Sequence, residues 1–168
     1  TDAWETLDAL DAAMAYKAMG SLLADPKGGV ATLATGFSGL AGEEARILRS
    51  IAELDHKEFR LREAARRAVV KTGLRGAAYL TDPKRKLLGA EGETRVRLIL
   101  EAFESQGLRQ PEGGLFGEQL RAVRAVRVLE TIGTAEAKAV LEEAAKGAAD
   151  LRLTREAKGA LEVWPTQR

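Results

Sequence analysis

The hydrophobic positions of the stretch "LETIGTAEAKAVLEEAAKG" (Leu129 to Gly147) recur at helical spacing, broken once at Gly133 and again at Gly147. That pattern predicts two short helices separated by a glycine stop, with Thr134 capping the second. The same punctuation runs along the chain. Ala122, Ala125, Val126, Leu129 and Ile132 form one apolar stripe, opposite Arg124, Arg127 and Glu130. Ala137, Val140, Leu141 and Ala144 form the next. Upstream, Leu61, Ala64, Ala65, Ala68 and Val69 are expected to be buried, with Arg60, Glu63, Arg67 and Lys71 facing away. Each is the signature of an amphipathic helix with one buried face. No alternation of period two points to strands.

The remaining elements follow from glycine, proline and capping signals. A first helix is expected from Ala3 to about Ala24, then a turn, with Pro26 at the first position of the next helix. "GFSGLAG" (Gly36 to Gly42) reads as a loop between repeats. Asp55 is expected to cap a helix ended by Gly73, Asp82 and Pro83 to open another, and Thr154 to cap the last. Gln106 to Gly117 is the most loop-like segment.

Two segments, "VVKTGLRGAAYL" and "LETIGTAEAKAV", share one arrangement of apolar residues, glycine and alanine. Helix, glycine stop and helix at a spacing of roughly 40 residues is the HEAT-type pattern. The expectation is therefore an all-α fold: a HEAT-like α-solenoid, or right-handed α-α superhelix, of about four antiparallel helix pairs. The chain is expected to be a single domain, residues 1–168, and a fragment of a larger multidomain protein, since it opens at Thr1 without methionine.

Composition agrees with this picture. Of 168 residues, 45% are hydrophobic and 5% aromatic, which favours helices that approach closely through small side chains. Lys and Arg number 26 against 25 Asp and Glu, so the whole chain gives no reason to expect polyanion binding. The absence of cysteine excludes disulfides, thiolate catalysis and cysteine-ligated zinc. No apolar run has the length of a membrane span. The address is left open, with the cytoplasm favoured.

"LRAVRAVRVLETIGTAEAKAVLEEAAKGAADLRLTREAKGALE" (Leu120 to Glu162) closely resembles the C-terminal HEAT-like segment of planctomycete-type WD-repeat proteins. "AELDHKEFRLREAARRAV" and "DAAMAYKAMGSLLADPKGGVATL" are similar to that segment's earlier part. "GLRGAAYLTDPKRK" and "GLRQPEGGLFGE" depart from it. The resemblance implies a helical module for protein contacts beside a β-propeller or other modules, with no catalytic residue to carry over.

Candidate chemistry is sparse. His56, the one histidine, sits among Asp55, Lys57 and Glu58 and reads as part of an exposed helix start rather than a base or ligand. The glycines of "GFSGLAG" lack the preceding strand that a phosphate cradle needs. Glu43/Glu44 and Glu142/Glu143 are adjacent pairs that point to different sides of a helix. No catalytic residue, cofactor or metal is therefore assigned.

The arginines form two rows, one holding Arg46, Arg49, Arg60, Arg66, Arg67, Lys71 and Arg75, the other Arg121, Arg124 and Arg127. A solvated, ion-paired face is favoured over a phosphate-tracking stripe, because acids interleave and aromatics are few. Trp4 and Trp164 are expected to cover the ends of the stack or to dock onto other parts of the parent protein. Phe116 is an apolar loop anchor or contact.

The leading expectation is a non-catalytic interaction or scaffold module, with a protein partner or the parent's other domains as ligand. Arg60, Arg67, Lys71, Arg124, Arg127, Phe116, Trp4 and Trp164 are its candidate contacts. The isolated domain is expected to be monomeric. The alternatives are a nucleic-acid-binding helical repeat using the arginine rows and a helical-repeat enzyme of the bilin-lyase kind.

Overall fold

The computed structural model describes residues 2–107 and 115–164. Among the described residues the chain is all-helical. In order the helices are α1 (Ala3–Thr6), α2 (Ala12–Ala24), α3 (Pro26–Ala52), α4 (Phe59–Lys71), α5 (Leu74–Leu80), α6 (Ala90–Ser105), α7 (Glu118–Ile132), α8 (Ala135–Ala144) and α9 (Arg152–Glu162). A 3-10 turn, Glu53–Asp55, follows α3. Two compact units result: Thr1–Gly42 with Gly117–Arg168, and Glu43–Phe116.

The first unit takes α1, α2, the N-terminal part of α3 and α7 to α9. Its core joins Leu7, Leu22, Leu33, Phe37 and Leu40 to Val126, Leu129, Leu141 and Leu153. The predicted stripe of α7 is this core's spine: Ala122, Ala125, Val126 and Leu129 are buried, as is Val128. Gly133 has a left-handed φ of 66°, which lets its N–H close onto the Leu129 carbonyl at 3.0 Å. The Thr134 hydroxyl then accepts from the Ala137 N–H at 3.3 Å, as the sequence pattern predicts.

The second unit packs the C-terminal part of α3 with α4, α5 and α6. Its core contains Ile47, Ile51, Leu54, Ala65, Val69, Tyr79, Leu80, Val96, Ile99 and Phe103. Glu44 lies within this apolar surround, completely buried. It accepts a hydrogen bond from the Tyr79 hydroxyl at 2.8 Å, which tethers α3 to α5.

Several expectations need correction. The first helix is interrupted: α1 ends at Thr6, and the Asp11 carboxylate starts α2 by accepting from the N–H groups of Ala13 and Met14 at 2.8 and 3.1 Å. "GFSGLAG" is not a loop but lies inside α3, which runs unbroken from Pro26. Glycine there costs helix stability, yet Leu33, Phe37, Leu40, Ile47 and Ile51 are all buried along one stripe of α3, and that burial outweighs propensity.

Asp55 caps nothing at α4. It accepts from the Gly89 N–H at 2.8 Å, just ahead of α6. Asp82 does accept from a backbone N–H, that of Lys84 at 2.8 Å, but it stabilises a turn rather than a helix. Thr154 is the third residue of α9 and is buried; Leu151 holds the cap position. On α4 the buried positions are Ala65 and Val69, while Leu61 is 41% exposed and Ala64 and Ala68 are exposed. The buried face is turned toward Arg62, whose guanidinium donates to the carbonyls of His56 and Lys57 at 2.7 and 2.9 Å.

Candidate functional site

The N-terminal segment is fastened to α7 by two arginines. Arg124 donates through one nitrogen to the carbonyls of Leu7 and Ala9, at 2.6 and 2.7 Å. These carbonyls lie where the chain leaves helical geometry between α1 and α2, so a side chain takes the place of the missing backbone donors. Burial pulls the Arg124 guanidinium below its ordinary pKa, and the nearby Asp8 charge opposes that shift. Arg121 donates to Asp8 at 2.6 Å and lies 5.4 Å from the ring centre of Trp4.

Trp4 is thereby held flat against α3. A Cβ added at Gly36 would lie 2.5 Å from the indole carbons. Glycine at this helix-interior position is therefore a packing requirement. The indole also meets Phe37 edge-on, with ring centres 6.2 Å apart and planes at 68°.

Phe37 in turn forms part of an open apolar groove of about 420 Å³ within the same unit. Ala34 and Ala41 of α3 line it with Phe37, facing Ala139 and Val140 of α8 and Leu153 of α9. Small side chains on two walls leave the space; the aromatic and the leucine make it apolar. Glu143 is the titratable group in the lining, and its carboxylate is 2.6 Å from the Lys146 ammonium. The groove thus offers apolar contact with a neutralised charge at its edge.

The sequence-derived candidates separate into two groups. Trp4 and Arg124 are internal fasteners. Trp164 also packs on the core of the first unit, half-buried, so both tryptophans serve one core. Arg127 is exposed and pairs with Glu130 at 3.2 Å. Arg60, Arg67 and Lys71 lie on the exposed side of α4. Phe116 is half-buried immediately before Gly117, whose φ of 52° opens α7.

His56 is half-buried, and its Nδ1 accepts from the Glu58 N–H at 3.0 Å, which closes a turn just ahead of α4, where the N-cap residue Glu58 makes no side-chain cap bond. Among the described residues no group of three or more His, Asp and Glu side chains is placed to hold a metal ion, and no helix is long and apolar enough to cross a membrane.

Sequence reasoning missed the groove and the Glu44–Tyr79 pair. Glu44 carried a readable signal, since it occupies the apolar stripe between Leu40 and Ile47. The groove carried none, because its walls come from segments about a hundred residues apart in the chain. No protein-family model, no curated protein and no solved structure matches the chain.

Proposed function

We propose that the chain is a non-catalytic protein-interaction or scaffold module, HEAT-like in the succession of α7, α8 and α9, that receives an apolar protein segment in the groove between α3, α8 and α9. The observation that carries this reading is the groove itself: about 420 Å³ of apolar space open to solvent, walled by helices. A groove between helices suits an amphipathic helix that lays its apolar stripe along it. The resemblance to the tails of WD-repeat proteins supports the same reading, because it implies a module for contacts rather than chemistry. Trp4 acts at a distance from the partner, holding Phe37 in the groove wall.

The test uses the exposed wall residue Ala139. Ala139→Trp fills the groove and removes no core contact. Proteins retained by the immobilised wild-type chain are identified by mass spectrometry and compared with those retained by the variant. A partner held by the wild type and lost from Ala139→Trp, at unchanged melting temperature, is the expected result. Identical retention by both chains would sink the reading.

A further inference from the structure

The two compact units differ in charge. Residues 43–116 hold 15 Lys and Arg against 12 Asp and Glu, a net of +3; the rest of the chain holds 11 against 13, a net of −2. Within the positive unit, most arginines on α4 to α6 are already engaged. Arg66 pairs with Glu63, Arg85 with Glu93 at 2.8 Å, and Arg95 with Glu91 at 2.6 Å. Arg60, Arg67 and Lys71 are different. All three are exposed, and among the described residues none of their side chains makes a hydrogen bond or an ion pair, although the Glu63 carboxylate lies close enough to feel the Arg67 charge. Their spacing of seven and four residues sets them in line along one side of α4, about 10 and 6 Å apart.

Beside this line runs a shallow trough of about 230 Å³ between the C-terminal part of α3 and α4. Ile47 and Val69 form its floor, with Ala68 on the α4 wall and Ser50 on the α3 wall. Arg46, exposed and likewise unpaired among the described residues, stands on the α3 wall. The carboxylate in the lining, Glu43, is 3.5 Å from Arg75. Leu61, 41% exposed, continues the apolar surface along α4.

We infer that this trough is a second docking site, for an acidic amphipathic peptide helix. Arg46 on the α3 wall, and Arg67 and Lys71 on the exposed side of α4 next to Ala68, attract carboxylates, and the apolar floor takes the side chains between them. Each half of that recognition is incomplete alone. A nucleic acid would use the cations and leave the apolar floor unfilled, and bases have one exposed aromatic here, Phe59, on which to stack. A membrane surface would need the apolar residues to project, whereas Ile47 and Val69 are buried at the bottom of a concavity. The site shares no lining residue with the apolar groove of the other unit, so the two proposals fail separately.

The experiment measures fluorescence anisotropy of a labelled Glu/Leu amphipathic peptide of about 20 residues, long enough for several helical turns, against the full chain. A peptide of the same composition with scrambled spacing, an oligodeoxythymidine of equal charge, and vesicles of mixed neutral and anionic lipid serve as competitors. The expected result is salt-sensitive binding of the amphipathic peptide, weakened about tenfold or more by Arg67→Glu with Lys71→Glu and also by the uncharged obstruction Ala68→Trp. All three positions are exposed, so these chains should retain the wild-type circular dichroism. Ala139→Trp should bind this peptide normally. Equal binding of the scrambled peptide, tighter binding of the oligonucleotide or the vesicles, or indifference to Ala68→Trp would each overturn the inference.

Discussion

The indole of Trp4 meets the ring of Phe37 edge-on at 6.2 Å, which links the N-terminal segment to the wall of the apolar groove. The contact depends on glycine at position 36 and on the arginines of α7 that hold α1 in place. A chain end is ordinarily the least ordered part of a domain unless something ties it down. Here the tie also shapes a candidate binding surface.

Gly36 and Gly39 should respond in opposite directions to the same change. A Cβ at Gly36 collides with Trp4, whereas one at Gly39 meets nothing within 4 Å. Gly36→Ala is expected to destabilise by about 1–3 kcal/mol through overpacking, with a shift in tryptophan fluorescence. Gly39→Ala is expected to stabilise by about 0.5–1 kcal/mol through helix propensity. Urea unfolding of both variants checks this, and a stabilising Gly36→Ala would remove the packing role of the glycine.

Arg124 replaces backbone donors at the break between α1 and α2. Arg124→Ala leaves the Leu7 and Ala9 carbonyls without their present donor. The expected cost is about 1–3 kcal/mol, together with faster limited proteolysis between Leu7 and Asp11. Arg127→Ala, which breaks an exposed pair with Glu130, should change stability by less than about 0.5 kcal/mol. Equal effects at the two positions would contradict the clamp.

Glu93 gives the second unit a pH signature. Its carboxyl is held down to about 2 by the Arg85 guanidinium and then by the Leu88 N–H, both donating to it. A lowered carboxyl pKa means that the stabilisation is fully present above the ordinary carboxylate value of 4.5 and is lost as pH falls through about 2. Because the carboxylate is about a third exposed, the contribution is on the order of 1–2 kcal/mol. Glu93→Gln should lower stability by that amount at neutral pH, and its deficit should shrink below pH 4.5 and close near pH 2. Denaturation at a series of pH values would show this; a pH-independent deficit would assign the effect to packing instead.

The turn after α7 supplies a local control. Gly133 holds a φ of 66°, and Thr134 caps α8. Gly133→Ala and Thr134→Ala are each expected to cost about 1 kcal/mol in thermal unfolding. No loss at Gly133 would mean that the left-handed turn is not required.

Local chemistry made α7 and α8 readable in the sequence, because their apolar stripes ended in a clear stop or began at a clear cap. The same logic failed wherever a distant segment decided the outcome. "GFSGLAG" looks like a loop to anyone counting glycines; it is helical because its intervening apolar residues are buried and because Gly36 seats Trp4 from outside the helix. The motif shared by "VVKTGLRGAAYL" and "LETIGTAEAKAV" did align Gly73 with Gly133, and both have positive φ, 59° and 66°. Their ψ angles, −134° and 11°, differ, so the two turns are not the same structure. Among the candidate contacts, exposure on α4 was legible from helical phase. The inward commitment of Arg124 was not, since its acceptors lie more than a hundred residues earlier in the chain.

Whether the groove between α3, α8 and α9 receives a protein segment can be read by site-specific photo-crosslinking. A photoreactive phenylalanine analogue is placed at Ala139 in the groove wall, and separately at Lys158, exposed on α9 and outside the groove lining. Crosslinks are expected from position 139 to one defined protein segment, absent from position 158 and abolished when Val140→Asp puts a charge into the apolar wall. Crosslinks that are the same from both positions, or that persist through Val140→Asp, would rule out a protein segment seated in the groove.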